Sequence, residues 1–148
     1  MVKLILKDIN DYGLADQTLI SSFDWRILKE VKKQNQSILR GYLSLQQGKS
    51  KTIFEDSLWV DGKFSSLELF ELPKVIKSLE GHVWCPFYRD VTKENVKQAH
   101  DLGLAVNAWT VNDEEDILRM INYSVDGIIT DYPEKVKKIC QNKNISWF

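Results

Sequence analysis

The chain has 148 residues, 43% hydrophobic and 28% charged, with 20 Lys+Arg against 21 Asp+Glu. That length and composition suit one buried core, and the near-zero net charge argues against nucleic acid as the main partner, because phosphate binding draws on a basic excess. No uninterrupted apolar run approaches the roughly 20 residues that span a bilayer, so no transmembrane segment is expected.

In chain order, Val2, Ile5, Ile9 and Tyr12 fall at helical spacing, and Gly13 ends that pattern. Thr18 to Ser22 reads as a buried strand, and Asp24 to Gln34 as a helix with Trp25, Leu28 and Val31 on one face. Ser37 to Leu43 is a second strand. Ser44 to Ser66 is irregular, with a possible short strand at Ser57 to Val60; a connection this long is often functional. Leu67 to Leu79 has helical pattern, but Pro73 would cost about 3 kcal/mol inside a helix, which places the helix start near it.

His82 to Pro86 is a third strand. Thr92 to Leu102 is a helix stopped by Gly103. Leu104 to Trp109 is a fourth strand, Asp113 to Tyr123 a helix, Asp126 to Thr130 a fifth strand, and Pro133 to Cys140 a closing helix. Apolar strands that alternate with helices predict a parallel sheet covered by helices. No linker divides the chain. The opening residues, Met1 to Asp8, are charged too early for a signal peptide. Cys85 and Cys140 form no close-spaced metal or redox motif, which predicts reduced thiols and a cytoplasmic location.

In parallel α/β folds, ligands bind beyond the C-terminal ends of the strands. Here that face holds Ser21, Ser22, Phe23 and Asp24, then Tyr42, Leu43 and Ser44, then Pro86 to Arg89, then Trp109 to Asp113, then Thr130 to Tyr132. It is rich in hydroxyls and aromatics and poor in groups that titrate near neutral pH. His82 opens its strand, at the opposite end, and His100 lies within a helix; both read as packing or surface residues. Asp24, Asp113 and Asp131 each precede a helix, where capping competes with metal ligation. Asp131 with Glu134, and Asn112 with Glu115, have capping-box spacing. Trp109 reads either as a rim aromatic or as a platform for a glycerol-like ligand. No phosphate-cradling glycine loop occurs.

Three stretches in order, Leu19 to Asp24, Ala105 to Asn112 (A-V-N-A-W-T-V-N) and Val125 to Pro133 (V-D-G-I-I-T-D-Y-P), resemble the C-terminal part of the glycerophosphodiester phosphodiesterase family. Arg40 to Leu43 and Ala99 to Leu104 fit the intervening pattern, so the likeness runs from about Val2 to Val136. The resemblance implies a (β/α)8 barrel that hydrolyses glycerophosphodiesters to glycerol 3-phosphate and an alcohol, in lipid metabolism, with a divalent metal (Ca or Mg). A complete barrel takes at least about 200 residues. The expected fold is therefore α/β, about five βα units forming the C-terminal part of a TIM-type barrel, as one partial domain over 1–148. The barrel's first three strands, which carry the family's H-R-G motif, its Glu-x-Asp metal pair and a second histidine, are expected to be absent from this chain.

By family position, Phe23 and Trp109 line the glycerol or alcohol side, while Ser21, Ser22, Asn112 and Asp131 support the pocket rim or cap helices. No catalytic and no metal-ligating residue is expected among them, and the chain alone is expected to be inactive. With the interior face exposed, the aliphatic positions Leu19, Val106 and Ile128 would need cover, which predicts complementation by an N-terminal fragment, self-association or poor solubility. A non-enzymatic half-barrel that serves as a binding or assembly module is the alternative. An independent open sheet of flavodoxin or receiver type is a third, and strand order separates it: a reversal marks a doubly wound sheet, while neighbour-by-neighbour order marks a barrel segment.

Overall fold

A computed structural model of the chain describes residues 1–62, 64–65 and 71–146. Its elements alternate: α1 Val2–Asp11, β1 Leu19–Ser22, α2 Trp25–Gln34, β2 Leu39–Ser44, α3 Leu72–Ser78, β3 Val83–Pro86, α4 Lys93–Asp101, β4 Ala105–Ala108, α5 Glu114–Asn122, β5 Gly127–Ile128 and α6 Pro133–Asn142. The five strands form one parallel sheet in the order β1-β2-β3-β4-β5. Each strand lies beside its sequence neighbour and the order never reverses. This is the order of a barrel segment and not of a doubly wound sheet.

Local chemistry explains the elements. The Asp24 side chain accepts the backbone N–H of Arg26 and so caps α2, whose Trp25, Leu28 and Val31 are all buried. Pro73 sits in the first turn of α3, where its missing N–H costs nothing. Thr92 and Asn95 form a reciprocal capping box at the start of α4. Beyond that helix Gly103 takes φ +72°, a turn that a side chain would resist.

Two faces of the sheet follow from the strand period of two. Tyr42, Trp84, Val106 and Ala108 point to the helices and are buried in the main core with Leu28, Ile76, Val96, Ile117 and Met120. The opposite, concave face carries small side chains. A Cβ placed on Gly41 would meet Cys85 Sγ at 3.1 Å and Ser21 Cβ at 3.2 Å, and one on Gly127 would meet Asn107 Oδ1 at 2.5 Å. Leu19, Ser21, Gly41, Cys85, Asn107 and Gly127 therefore share this inner face. A second, smaller core joins Leu6 and Ile9 of α1 to Val31 and Ile38.

Several sequence expectations are corrected here. Val106 and Ile128 do not line the open interior: they pack with the helices, and only Leu19 of the three faces inward. The strand at Leu19–Ser22 is not buried but alternates between exposed and half-buried positions, because it has a partner on one side only. Ser57 to Val60 holds no strand. Leu58–Val60 is a 3-10 turn whose first N–H groups find Ser57, through the Ser57 hydroxyl for Trp59 and the Ser57 carbonyl for Val60. In α1 the buried pair is Leu6 and Ile9, while Ile5 and Tyr12 are exposed. The helical pattern expected over Leu67 to Phe70 lies outside the described residues.

Candidate functional site

The C-terminal ends of the strands bring together residues far apart in sequence. Phe23 follows β1, Phe87 follows β3 and Trp109 follows β4. The Trp109 ring lies 5.3 Å from Phe23, edge to face, and 5.3 Å from Phe87 at a tilted angle. Strands first and fourth in a flat sheet would stand about 14 Å apart. Contact between the side chains that leave them shows the aromatics converging over the concave side. The Trp109 indole N–H donates to the Cys85 carbonyl at 2.8 Å, and the backbones of Phe87 and Trp109 form a parallel bridge. Thus the polar edge of the indole is tied to the sheet, and its ring is left as a half-buried wall.

The rim beside this wall is built by Asn112. Its Oδ1 accepts from Thr130 Oγ1 and from the Asp131 backbone N–H, both at 3.0 Å, and its Nδ2 donates to Asp131 Oδ2 at 2.7 Å. Lys135 Nζ donates to the Asn112 carbonyl at 2.8 Å and lies over the Tyr132 ring. The loops after β4 and β5 are therefore locked to each other. This corrects the capping-box expectation. Asp113 and Tyr132 hold the N-cap positions of α5 and α6, neither makes a side-chain cap bond, and Asn112 and Asp131 bond each other instead. An Asn facing an Asp across two loops satisfies more polar atoms than each would at its own helix end.

Ser22 and Ser21 part company. Ser22 Oγ accepts the Asp24 backbone N–H at 3.0 Å and shapes the turn into α2, whereas Ser21 stands exposed on the concave face. Asp24 is engaged by Arg26 through both carboxylate oxygens, and this guanidinium holds its pKa below the usual range, against a smaller opposing effect of burial. Neither histidine reaches the mouth. His82 lies at the N-terminal end of β3, where Nδ1 accepts the Arg40 backbone N–H at 3.2 Å. Burial, reinforced by the Arg40 and Lys77 charges, pushes its pKa down. His100 Nε2 lies 2.8 Å from Asp126 Oδ2, beside the start of β5.

Among the described residues, no three His, Cys, Asp or Glu side chains stand together as a metal cage. The resident residues therefore do not by themselves fit the divalent metal that the family resemblance implies. A hollow of about 700 Å³ lies away from the aromatic wall, between the segments after β2 and β3 and the start of α4. Its buried member, Asp90, accepts the Gln46 backbone N–H at 2.8 Å, and burial raises its pKa. That bond ties the two segments together and gives Asp90 a structural use.

Phe87 is the contributor that sequence reasoning left unassigned. Its signal was present, since it follows a strand directly, but nothing in the sequence says that it will meet Trp109. The arc of a parallel barrel, with aromatics walling its strand ends and an Asn–Asp clasp fastening two of its loops, defines the class: an α/β protein built on part of a barrel.

Comparison with known proteins gives the family. The sequence profile of the glycerophosphoryl diester phosphodiesterase family matches residues 1–135. The chain belongs to that family. A glycerophosphodiester phosphodiesterase of Caldanaerobacter subterraneus is 32% identical over 130 residues, covering 88% of this chain and 45% of that protein. A crystal structure of a glycerophosphoryl-diester-phosphodiesterase-type protein from Silicibacter pomeroyi superposes with a TM-score of 0.83 at 40% identity, covering 100% of this chain and 46% of that one. A glycerophosphodiester phosphodiesterase from Parabacteroides distasonis gives a TM-score of 0.74 at 25% identity, covering 97% and 51%. These structural neighbours are TIM barrels, and the chain spans about half the length of the relatives it matches.

Proposed function

We propose that this chain forms the glycerol-side wall of a glycerophosphodiester phosphodiesterase, a hydrolase that releases glycerol 3-phosphate and an alcohol from the degradation products of phospholipids. The observation that carries the reading is the Phe23–Trp109–Phe87 wall at the strand ends of a member of this family. A glycerol backbone offers C–H edges to such a wall and hydroxyls to a polar rim. Ser21, Asn112 and Asp131 lie at that rim, Asn112 and Asp131 as a preformed pair. A phosphodiesterase from Oleispira antarctica, similar in fold, was solved with sn-glycerol 3-phosphate, which supports this substrate class.

The general acid, the general base and the donors for a divalent metal must come from residues other than those described, because both histidines lie away from the mouth. In this reading the chain alone is inactive, and an N-terminal part of the barrel supplies the missing groups. A cytoplasmic location fits the two buried free thiols, Cys85 and Cys140.

The test is hydrolysis of a soluble glycerophosphodiester with Mg²⁺ or Ca²⁺, followed as glycerol 3-phosphate release. The chain is assayed alone and co-expressed with the first three βα units of a family barrel. Activity in the assembled protein only, with Phe23→Ala raising KM more than it lowers kcat, supports the reading. An assembled but inert complex overturns it. The exposed sheet margins favour a second reading, a non-enzymatic assembly module, and that inert complex is its signature.

A further inference from the structure

We infer that the hollow between the segments after β2 and β3 and the start of α4 binds a small organic cation that carries two or more ammonium groups, with Asp90 as its anchor. The inference rests on this hollow and is independent of the hydrolysis proposed above. The space measures about 700 Å³. Its described lining holds three carboxylates, Glu71, Asp90 and Glu94, beside amide and hydroxyl side chains, and no lysine, arginine or histidine.

Asp90 supplies the observation that points to a ligand. It is 7% exposed and lines the hollow from the turn Tyr88–Asp90. Its Oδ2 accepts the Gln46 backbone N–H, and that bond suffices to join the two segments. Its Oδ1 is buried and has no hydrogen-bond partner. Burial pushes the Asp90 pKa up, and the Gln46 N–H and the Gln47 side chain pull it back. Gln47 nonetheless closes no hydrogen bond to Oδ1. A buried carboxylate oxygen without a donor destabilises the fold. An Asn would serve the Gln46 bond equally well and carry no charge, since its amide oxygen is also an acceptor. A carboxylate at this position is explained by a cation in the hollow, because charges away from bulk water are screened much less than charges at the surface.

The surroundings set the sign and the shape of the occupant. The start of α4 does not call for an anion. Thr92 and Asn95 satisfy each other's backbone N–H groups there, and Glu94 in the first turn answers the partial positive charge of the helix end. Glu71 is held by Lys74 at 2.6 Å, whereas Glu94 makes no ion pair among the described residues. A bare divalent ion needs several oxygens converging at about 2.0–2.6 Å. Among the described residues no three His, Cys, Asp or Glu side chains stand together in that way. Carboxylates set apart on three segments around a wide hollow suit a longer cation with its charges spaced along a chain.

The test is titration of the chain with spermidine, read by calorimetry and by thermal melting. A Kd below about 1 mM and a raised melting temperature are expected. Asp90→Asn keeps an acceptor for the Gln46 N–H, so without spermidine it should melt close to the wild type. It should bind spermidine about tenfold more weakly, or worse. Glu94→Gln should weaken binding about threefold. Its side chain is exposed, so it carries the comparison if Asp90→Asn melts early. Glu115→Gln, an exposed carboxylate in the first turn of α5, should leave binding unchanged. No binding below about 1 mM, no loss in either Asp90→Asn or Glu94→Gln, or an equal loss in Glu115→Gln overturns the inference. So does displacement of spermidine by equimolar Mg²⁺, which would mark the hollow as a metal site.

Discussion

The middle of the sheet and its two margins are built from similar residues and end in different states. Tyr42, Trp84 and Val106 on the central strands are almost wholly buried, while Leu19 and Ile129 at the margins stay open. Hydrophobicity does not separate them. A side chain of a central strand that faces the helices has a strand on each side and helices behind, so it is enclosed on three sides, whereas Leu39, on β2 but on the inner face, is 42% exposed. Among the described residues, the marginal strands have one neighbouring strand each and no facing wall. Burial is thus a property of the arrangement and not of the residue, and stability should be concentrated in the middle.

The sharpest way to break this contrast is to truncate one residue from each region. Trp84 fills the core behind the central strand, and its indole N–H donates to Ser44 Oγ at 2.9 Å. Trp84→Ala is expected to cost about 3–5 kcal/mol through the cavity and the stranded hydroxyl, whereas Leu19→Ala should cost under about 1 kcal/mol in the isolated chain. Urea midpoints of both variants check this, and equal losses would show that the margins are already packed. Next in size is Gly81→Ala. The added Cβ would stand 2.5 Å from Ile76 Cγ2 and 2.8 Å from the Tyr42 ring, so the core must shift, at about 1–3 kcal/mol. The same urea measurement reads it.

The base of the sheet supplies a pH test. His82 is held neutral by burial and by the Arg40 and Lys77 charges, so its folded-state pKa lies below its unfolded value. Its contribution is present above the ordinary histidine pKa of about 6.5 and is lost as pH falls below that value, since the unfolded chain then binds the proton more readily. Protonating Nδ1 also removes the acceptor of the Arg40 N–H. The fall in urea midpoint between pH 7.5 and pH 5.5 should be smaller for His82→Asn than for the wild type; an equal fall would refute the assignment. The smallest effect is expected at the rim. Asn112→Ala removes three side-chain hydrogen bonds at a half-exposed site, for about 1 kcal/mol in total. Its clearer mark should be faster amide exchange at Asp131 and Ile129, next to the free margin, with Tyr42 unchanged.

Much of the fold was legible beforehand because its signals are local. Pro73, Thr92, Gly103 and the Trp25–Leu28–Val31 spacing each act within a turn or two of chain, and each did what its chemistry dictates. The position of Phe23 and Trp109 at strand ends was also legible, from the strand pattern, but the contact of their rings was not. Phe87 was not, because its meeting with Trp109 depends on curvature across neighbouring strands. Nor was the Asn112–Asp131 clasp: each residue has a good local use as a helix cap, and only the approach of two loops offers a better one.

The sequence by itself determined the alternation of strand and helix, the parallel sheet and the family, because periodicity, caps and short motifs are written in neighbouring residues. Which face of each strand looks inward was decided by the tertiary structure. Val106 and Ile128 are no less apolar than Leu19 and Ile129, and a strand's period of two assigns them to opposite sides without saying which side the helices cover. That choice is made when the helices pack and the sheet bends. The bend turns Val106 and Ile128 into the core and leaves Leu19 and Ile129 facing an arc that is still open.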